Sequence, residues 1–91
     1  MKYTESQLED IKKLASIFVA PSIIADVLGV DANELKEDLA CRSSAASIAY
    51  RQGKAASIVA LRNQEMQLAR VGSPTAVENV GAALLKMEED E

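Results

Sequence analysis

From Ala45 to Arg70 the chain carries no proline and one glycine, Gly53, and this uninterrupted stretch constrains the fold more than any other feature. A run of that length without a breaker reads as one long helix, loosened at most at Gly53. Ile48, Ala55, Val59, Met66 and Ala69 line one side of it; Ile58, Leu61 and Leu68 line a neighbouring side. The combined apolar sector is wider than packing on one small helical unit requires. Alanines at 45, 46, 49, 55, 56 and 60 admit the close approach of another helix. Apolar residues make up 48% of the chain, yet only Tyr3, Phe18 and Tyr50 are aromatic. Aliphatic and alanine side chains therefore have to fill the core, which again suits packed helices.

Punctuation divides the rest. Thr4 and Gln7 have capping-box spacing, and Tyr3 and Leu8 stand where a hydrophobic staple would stand. Leu8, Ile11, Leu14, Ala15 and Phe18 follow at helical spacing, which predicts a helix over 5–19. Pro21 fits the first turn of a second helix, and Gly29 ends it as a left-handed residue. Asp31 opens a third helix, with Glu34 in place to complete another capping box, and both acids interact favourably with the helix dipole. That helix ends near Cys41 or Arg42, with Ser43 or Ser44 capping the next; the boundary is weakly marked, and one continuous helix is also compatible with it. Gly72 closes the long helix and Ser73-Pro74 starts the last, which carries Ala76, Val77, Val80, Ala83, Leu84 and Met87. Glu88 to Glu91 form an acidic tail, expected to fray. No strand pattern competes. The expected fold is all-α, with an N-terminal three-helix helix-turn-helix head over 1–42. An α-hairpin over 43–91 follows, made for oligomerisation and ending in the acidic tail.

With 91 residues there is room for one small core and little more. The single cysteine, Cys41, makes no intrachain disulfide, and without histidine no zinc site is expected. Neither a signal-peptide pattern nor a long apolar run is present, so an intracellular, soluble protein without membrane contact is expected. The net charge of −4 conceals a gradient. Residues 1–41 hold four basic and eight acidic side chains, residues 42–70 five basic and one acidic, and residues 71–91 one basic and five acidic. A basic middle between acidic ends fits phosphate binding, head-to-tail complementarity between subunits, or a solvated helix face.

Ala25 and Gly29 fall four apart, as the crossing and turn of a helix-turn-helix need, and Ile24, Leu28, Val30 and Leu35 stand where the two helices close their core. Base edges are read by Arg, Lys, Asn, Gln, Ser or Thr on the second helix. Asn33 and Lys36 qualify, while Glu37 and Asp38 would be repelled by phosphates. Weak binding per copy, multiplied in an oligomer, or phosphate contact through Lys12, Lys13 and Arg42, would reconcile the acidic helix with DNA.

The stretch AYRQGKAASIVALRNQEMQLARVGSPTA, Ala49 to Ala76, is similar to the segment after the helix-turn-helix in phage small terminase subunits and their prophage relatives. There an aromatic, a glycine and a basic residue begin a long helix, here Tyr50, Gly53 and Lys54. The helix ends at Ala-x-x-Gly and a Thr-Ala pair starts the next, here Ala69, Gly72, Thr75 and Ala76. The resemblance covers residues 20–87. It implies a subunit that binds double-stranded viral DNA near the packaging start, forms a homo-oligomeric ring and recruits the large ATPase–nuclease subunit, in the cytoplasm of an infected or lysogenic bacterial host. By that likeness Ile48, Tyr50, Ala55, Val59 and Met66 are the oligomer contacts. Lys12, Lys13, Asn33, Lys36 and Arg42 are the DNA-facing candidates. The chain departs from the pattern in its acidic second helix and in having no segment after the last helix, other than the acidic tail, to dock the large subunit.

No enzymatic activity, cofactor or metal is expected. Nucleophilic catalysis has no histidine base to draw on, Glu34, Glu37 and Asp38 cluster on one helix only, and neither phosphate-binding glycine motif is present. Two other readings stay open: a dimeric helix-turn-helix regulator, and an assembly module that kept the fold without binding DNA.

Overall fold

The computed structural model describes residues 2–91, and every regular element among them is a helix: α1 (Glu5–Ser16), α2 (Pro21–Leu28), α3 (Ala32–Ala40), α4 (Ala45–Arg70) and α5 (Pro74–Asp90). They form two compact units, Met1–Ser57 and Ile58–Glu91, with α4 supplying residues to both.

In α1, the Thr4 hydroxyl oxygen accepts from the Gln7 amide at 3.1 Å, and Gln7 Oε1 accepts from the Thr4 amide at 2.9 Å. Two amides that the first turn leaves without helical partners are thereby satisfied. α1 stops at Ser16, short of the expected Val19, because Phe18 takes a φ of 60°. The Phe18 amide donates to Ala15 O at 3.0 Å and the Val19 amide to Leu14 O at 3.1 Å. This pair of bonds is the closure that a left-handed residue makes after a helix, a place normally held by glycine. The same closure recurs at Gly29 (φ 73°), where Val30 donates to Ala25 O at 3.0 Å, and at Gly72 (φ 93°), where Ser73 donates to Leu68 O at 3.1 Å.

At the start of α3, Asp31 Oδ2 accepts from the Glu34 amide at 3.0 Å. Only that half of the expected box forms; the Glu34 carboxylate turns instead towards Lys2, 4.0 Å away. α3 ends at Ala40 and the backbone of Cys41 is extended, so α3 and α4 are separate helices. Ser44, rather than Ser43, caps α4, accepting from the Ser47 amide at 3.1 Å while donating to the Asp38 carbonyl at 2.6 Å. One hydroxyl thus serves the end of one helix and the start of the next.

Within Met1–Ser57, α2 packs against both α1 and α3. Ile11, Ile24 and Leu35, one from each helix, are 0% exposed, and Tyr3, Ala25, Ala46 and Ala49 complete the cluster. Full burial of each aliphatic side chain contributes about 1.5–3 kcal/mol. The sequence-read boundary at 42–43 falls in the α3–α4 turn. The compact unit continues past it because Ala46, Ser47, Ala49 and Gly53 of α4 are buried in it. Gly53 lies directly against α1: a Cβ there would overlap the Lys12 carbonyl oxygen and stand 3.2 Å from Ala15 Cβ. The glycine marks a close helix crossing, and α4 runs through it without a break. Four residues on, the Ser57 hydroxyl donates to the Ser16 carbonyl at the end of α1.

Within Ile58–Glu91, Ala76 is the single buried residue among those described, at 4% exposure. Ser73 Oγ accepts from the Ala76 amide at 3.4 Å to start α5. α5 stays helical to Asp90, so Glu88, Glu89 and Asp90 of the acidic tail continue the helix and Glu91 caps it. The half-buried Arg62 guanidinium lies 3.7 Å from Glu65 Oε1 and donates to the Asn79 carbonyl at 3.5 Å, joining α4 to α5. Nine large apolar side chains between Ile58 and Met87 remain 46% to 81% exposed.

Candidate nucleic-acid interface

α3 buries Leu35 and half-buries Ala32, Asp38 and Leu39. Its exposed residues separate into two groups. Asn33, Lys36, Glu37 and Ala40 follow at i, i+3, i+4 and i+7 and form one outward stripe. Glu34 and Asp38, four apart, lie along a flank occupied by the N-terminal residues. There Lys2 Nζ is 3.0 Å from Asp38 Oδ2, and the Tyr3 hydroxyl donates to the same oxygen at 2.6 Å.

The charges respond accordingly. The Tyr3 hydrogen bond, followed by that from Lys2, holds the Asp38 carboxyl below its ordinary range. The Tyr3 phenol is pushed up to about 12, first by its burial and then by the bond to Asp38. Lys2 is raised chiefly through its bond to Asp38. The four acids of α3 and its N-cap therefore have separate surroundings. Asp31 caps the helix, Asp38 anchors the N-terminal residues, and Glu34 is beside Lys2. Glu37 alone stands on the outward stripe.

All five DNA-facing candidates are exposed. Asn33 and Lys36 share the stripe. Lys12 and Lys13 are on α1, Lys12 beside a groove lined by Leu8, Ala45, Ile48 and Gln52. Arg42 is in the α3–α4 turn, its carbonyl accepting from Arg51 Nη2 at 2.6 Å. No hydrogen bond or ion pair joins the five among the described residues. Much of the basic middle is engaged with its own chain. Arg51 also reaches Ser47 Oγ at 3.3 Å, the Lys54 ammonium lies 5.5 Å from the Tyr50 ring centroid, and Arg62 is tied to Glu65 and Asn79.

Among the oligomer-contact candidates, Ile48, Ala55 and Val59 are exposed and Met66 is half-buried. Tyr50 is also half-buried and packs on the core of the first unit. Among the described residues, no helix is long and apolar enough to cross a membrane. No family model, curated protein or solved structure matches this chain.

The anchor formed by Lys2, Tyr3 and Asp38 was missed in the sequence. Tyr3 and Asp38 are 35 positions apart, and no local pattern announces such a bond. The one signal was Tyr3 itself, an aromatic ahead of a capping box, read there only as a staple.

Proposed function

We propose that this chain is an oligomeric DNA-recognition subunit of the phage small-terminase kind. In this reading it holds double-stranded DNA through the α2–α3 helix-turn-helix of many copies and presents it to a large ATPase–nuclease subunit, with no catalytic step of its own. The observation that carries the proposal is the contrast between a first unit that buries its own core and a second unit, Ile58–Glu91, in which Ala76 alone is buried. That unit leaves nine large apolar side chains 46% to 81% exposed, and a second copy of the same surface is the most available cover. Copies gathered in this way multiply a weak interaction per head, since each further head binds at the effective concentration set by the first. Lys12, Lys13, Lys36 and Arg42 supply the phosphate contacts and Asn33 a base-edge contact.

Light scattering behind a sizing column tests the assembly. A discrete closed oligomer well above a dimer is expected, and a stable monomer at micromolar concentration would sink the proposal. A dimer with a palindromic target would favour the operator-binding regulator instead. Affinity for duplex DNA should fall steeply with salt and fall further when Lys12, Lys13 and Arg42 are all replaced by alanine. A duplex affinity indifferent to salt and to all three changes would leave the assembly-module reading.

A further inference from the structure

Glu37 stands at the centre of the outward stripe of α3, between Asn33 one turn before it and Ala40 at its end, with Lys36 beside it. Its carboxylate has neither a hydrogen-bond nor an ion-pair partner among the described residues, unlike Asp31 at the N-cap of the helix and Asp38 within it. A carboxylate placed among phosphates has no favourable contact. One placed at base edges does, because the exocyclic amine of cytosine is the group in the major groove that donates without an adjacent acceptor. We infer that Glu37 is a specificity determinant: it accepts a hydrogen bond from cytosine N4 while Asn33 reads adenine nearby. The inference rests on the DNA-recognition reading above.

Geometry sets the register. Side chains four apart on a helix have Cβ atoms about 5–6 Å from one another, and successive base pairs along the duplex are about 3.4 Å apart. Asn33 and Glu37 therefore address positions one or two base pairs apart, and the site read by one head holds an adenine and a cytosine at that separation. The engagement of Asp38 with Lys2 and Tyr3 matters here, because it leaves Glu37 as the one free carboxylate the stripe brings into the groove. Glu37 costs affinity at every sequence lacking the cytosine, and in that way rejects the wrong sites as well as selecting the right one.

The test is selection from a random-sequence duplex library by the full chain in its assembled form, with Glu37→Gln and Glu37→Ala alongside. Both replacements are exposed and favour helix, so the fold is kept. Wild type is expected to prefer cytosine at one position by about five- to ten-fold. Glu37→Gln is expected to move that preference to adenine, because a carboxamide pairs with adenine N6 and N7. Glu37→Ala is expected to lose the preference and to bind arbitrary duplexes more tightly. A change of base identity is something a general electrostatic role cannot produce. An identical enriched sequence in all three proteins overturns the inference. So does salt-dependent binding with no enriched sequence, although that leaves the DNA-binding assembly standing. No duplex binding at low salt removes both.

Discussion

The two units of this chain use the same kinds of residue to opposite ends. Met1–Ser57 buries Ile11, Ile24 and Leu35 completely, satisfies its helix ends with Thr4, Asp31 and Ser44, and fastens its N-terminus through Tyr3 to Asp38. Ile58–Glu91 has as rich a supply of aliphatic side chains and buries a single alanine. A pair of helices alone gains too little from packing to offset the entropy of ordering them. Composition does not separate the units; what differs is how much of its apolar surface each unit buries within itself.

The largest effect is expected where the first unit is tightest. Gly53→Val places side-chain carbon against the Lys12 carbonyl, a backbone group that cannot rotate away. A loss of about 3 kcal/mol or more is expected, at or beyond the upper end of overpacking costs, measured by urea denaturation of the first unit's transition. An unchanged midpoint would show that α1 and α4 can separate freely there, and the contrast between the units would lose its basis.

Polar replacements in the second unit should behave differently. Val59→Ser with Leu68→Ser alters exposed positions, so the first unit's melting is expected to stay within about 0.5 kcal/mol of wild type, the usual range for surface changes. The solution mass, by contrast, is expected to fall towards that of a single chain, and the concentration dependence of any hairpin transition to vanish with it. Wild-type mass after both replacements would mean that other surfaces assemble the protein.

What could be read in the sequence follows the same division. Gly29 and Gly72 announced left-handed closures because glycine is the residue that tolerates them, and both closures are present. Thr4, Gln7, Asp31, Ser73 and Pro74 marked helix starts through chemistry within three residues of each other. The wide apolar sector of α4 was legible as pattern. Long-range contacts were not. Nothing near Gly53 says that it faces Lys12, and nothing near Asp38 says that Tyr3 reaches it. For that reason Asp38 was read together with Glu37 as an acid facing phosphates, when Asp38 is tied to Tyr3 and Lys2 and only Glu37 belongs to the outward stripe.

Tyr3→Phe tests that separation at a smaller scale. Removing the hydroxyl is expected to cost about 1 kcal/mol near neutral pH, read from denaturant midpoints. The pH profile carries the sign. Asp38 has a lowered folded value, so its share of stability is present above the ordinary carboxylate range and is lost as pH falls through that lowered value. Tyr3 is raised to about 12, so its share is complete below the ordinary phenol range and is lost as pH rises towards 12. In Tyr3→Phe both dependences shrink, and tyrosinate absorbance loses the component titrating near 12. A variant with the wild-type acid profile would show that Lys2 alone holds Asp38.

The smallest effect concerns Phe18, the one closure the sequence did not betray. Its φ of 60° is a conformation that a bulky L residue occupies at a cost of roughly 1–2 kcal/mol. Phe18 is also 53% exposed, so little burial offsets that cost locally. The hydrogen bonds of the closure come from the backbone of Phe18 and Val19 and do not need the ring. Glycine adopts the conformation freely but loses more entropy on folding. Phe18→Gly is accordingly expected to raise the first unit's stability by about 0.5 kcal/mol, the difference between relieved strain and added chain entropy. Gly29→Ala, at the matching closure of α2, is expected to lower it by about 1 kcal/mol. If Phe18→Gly instead destabilises, the ring contributes packing that outweighs its backbone strain. A loss of oligomer mass in the same variant would make Phe18 part of the surface between copies, and the first unit would then share in the assembly proposed for the second.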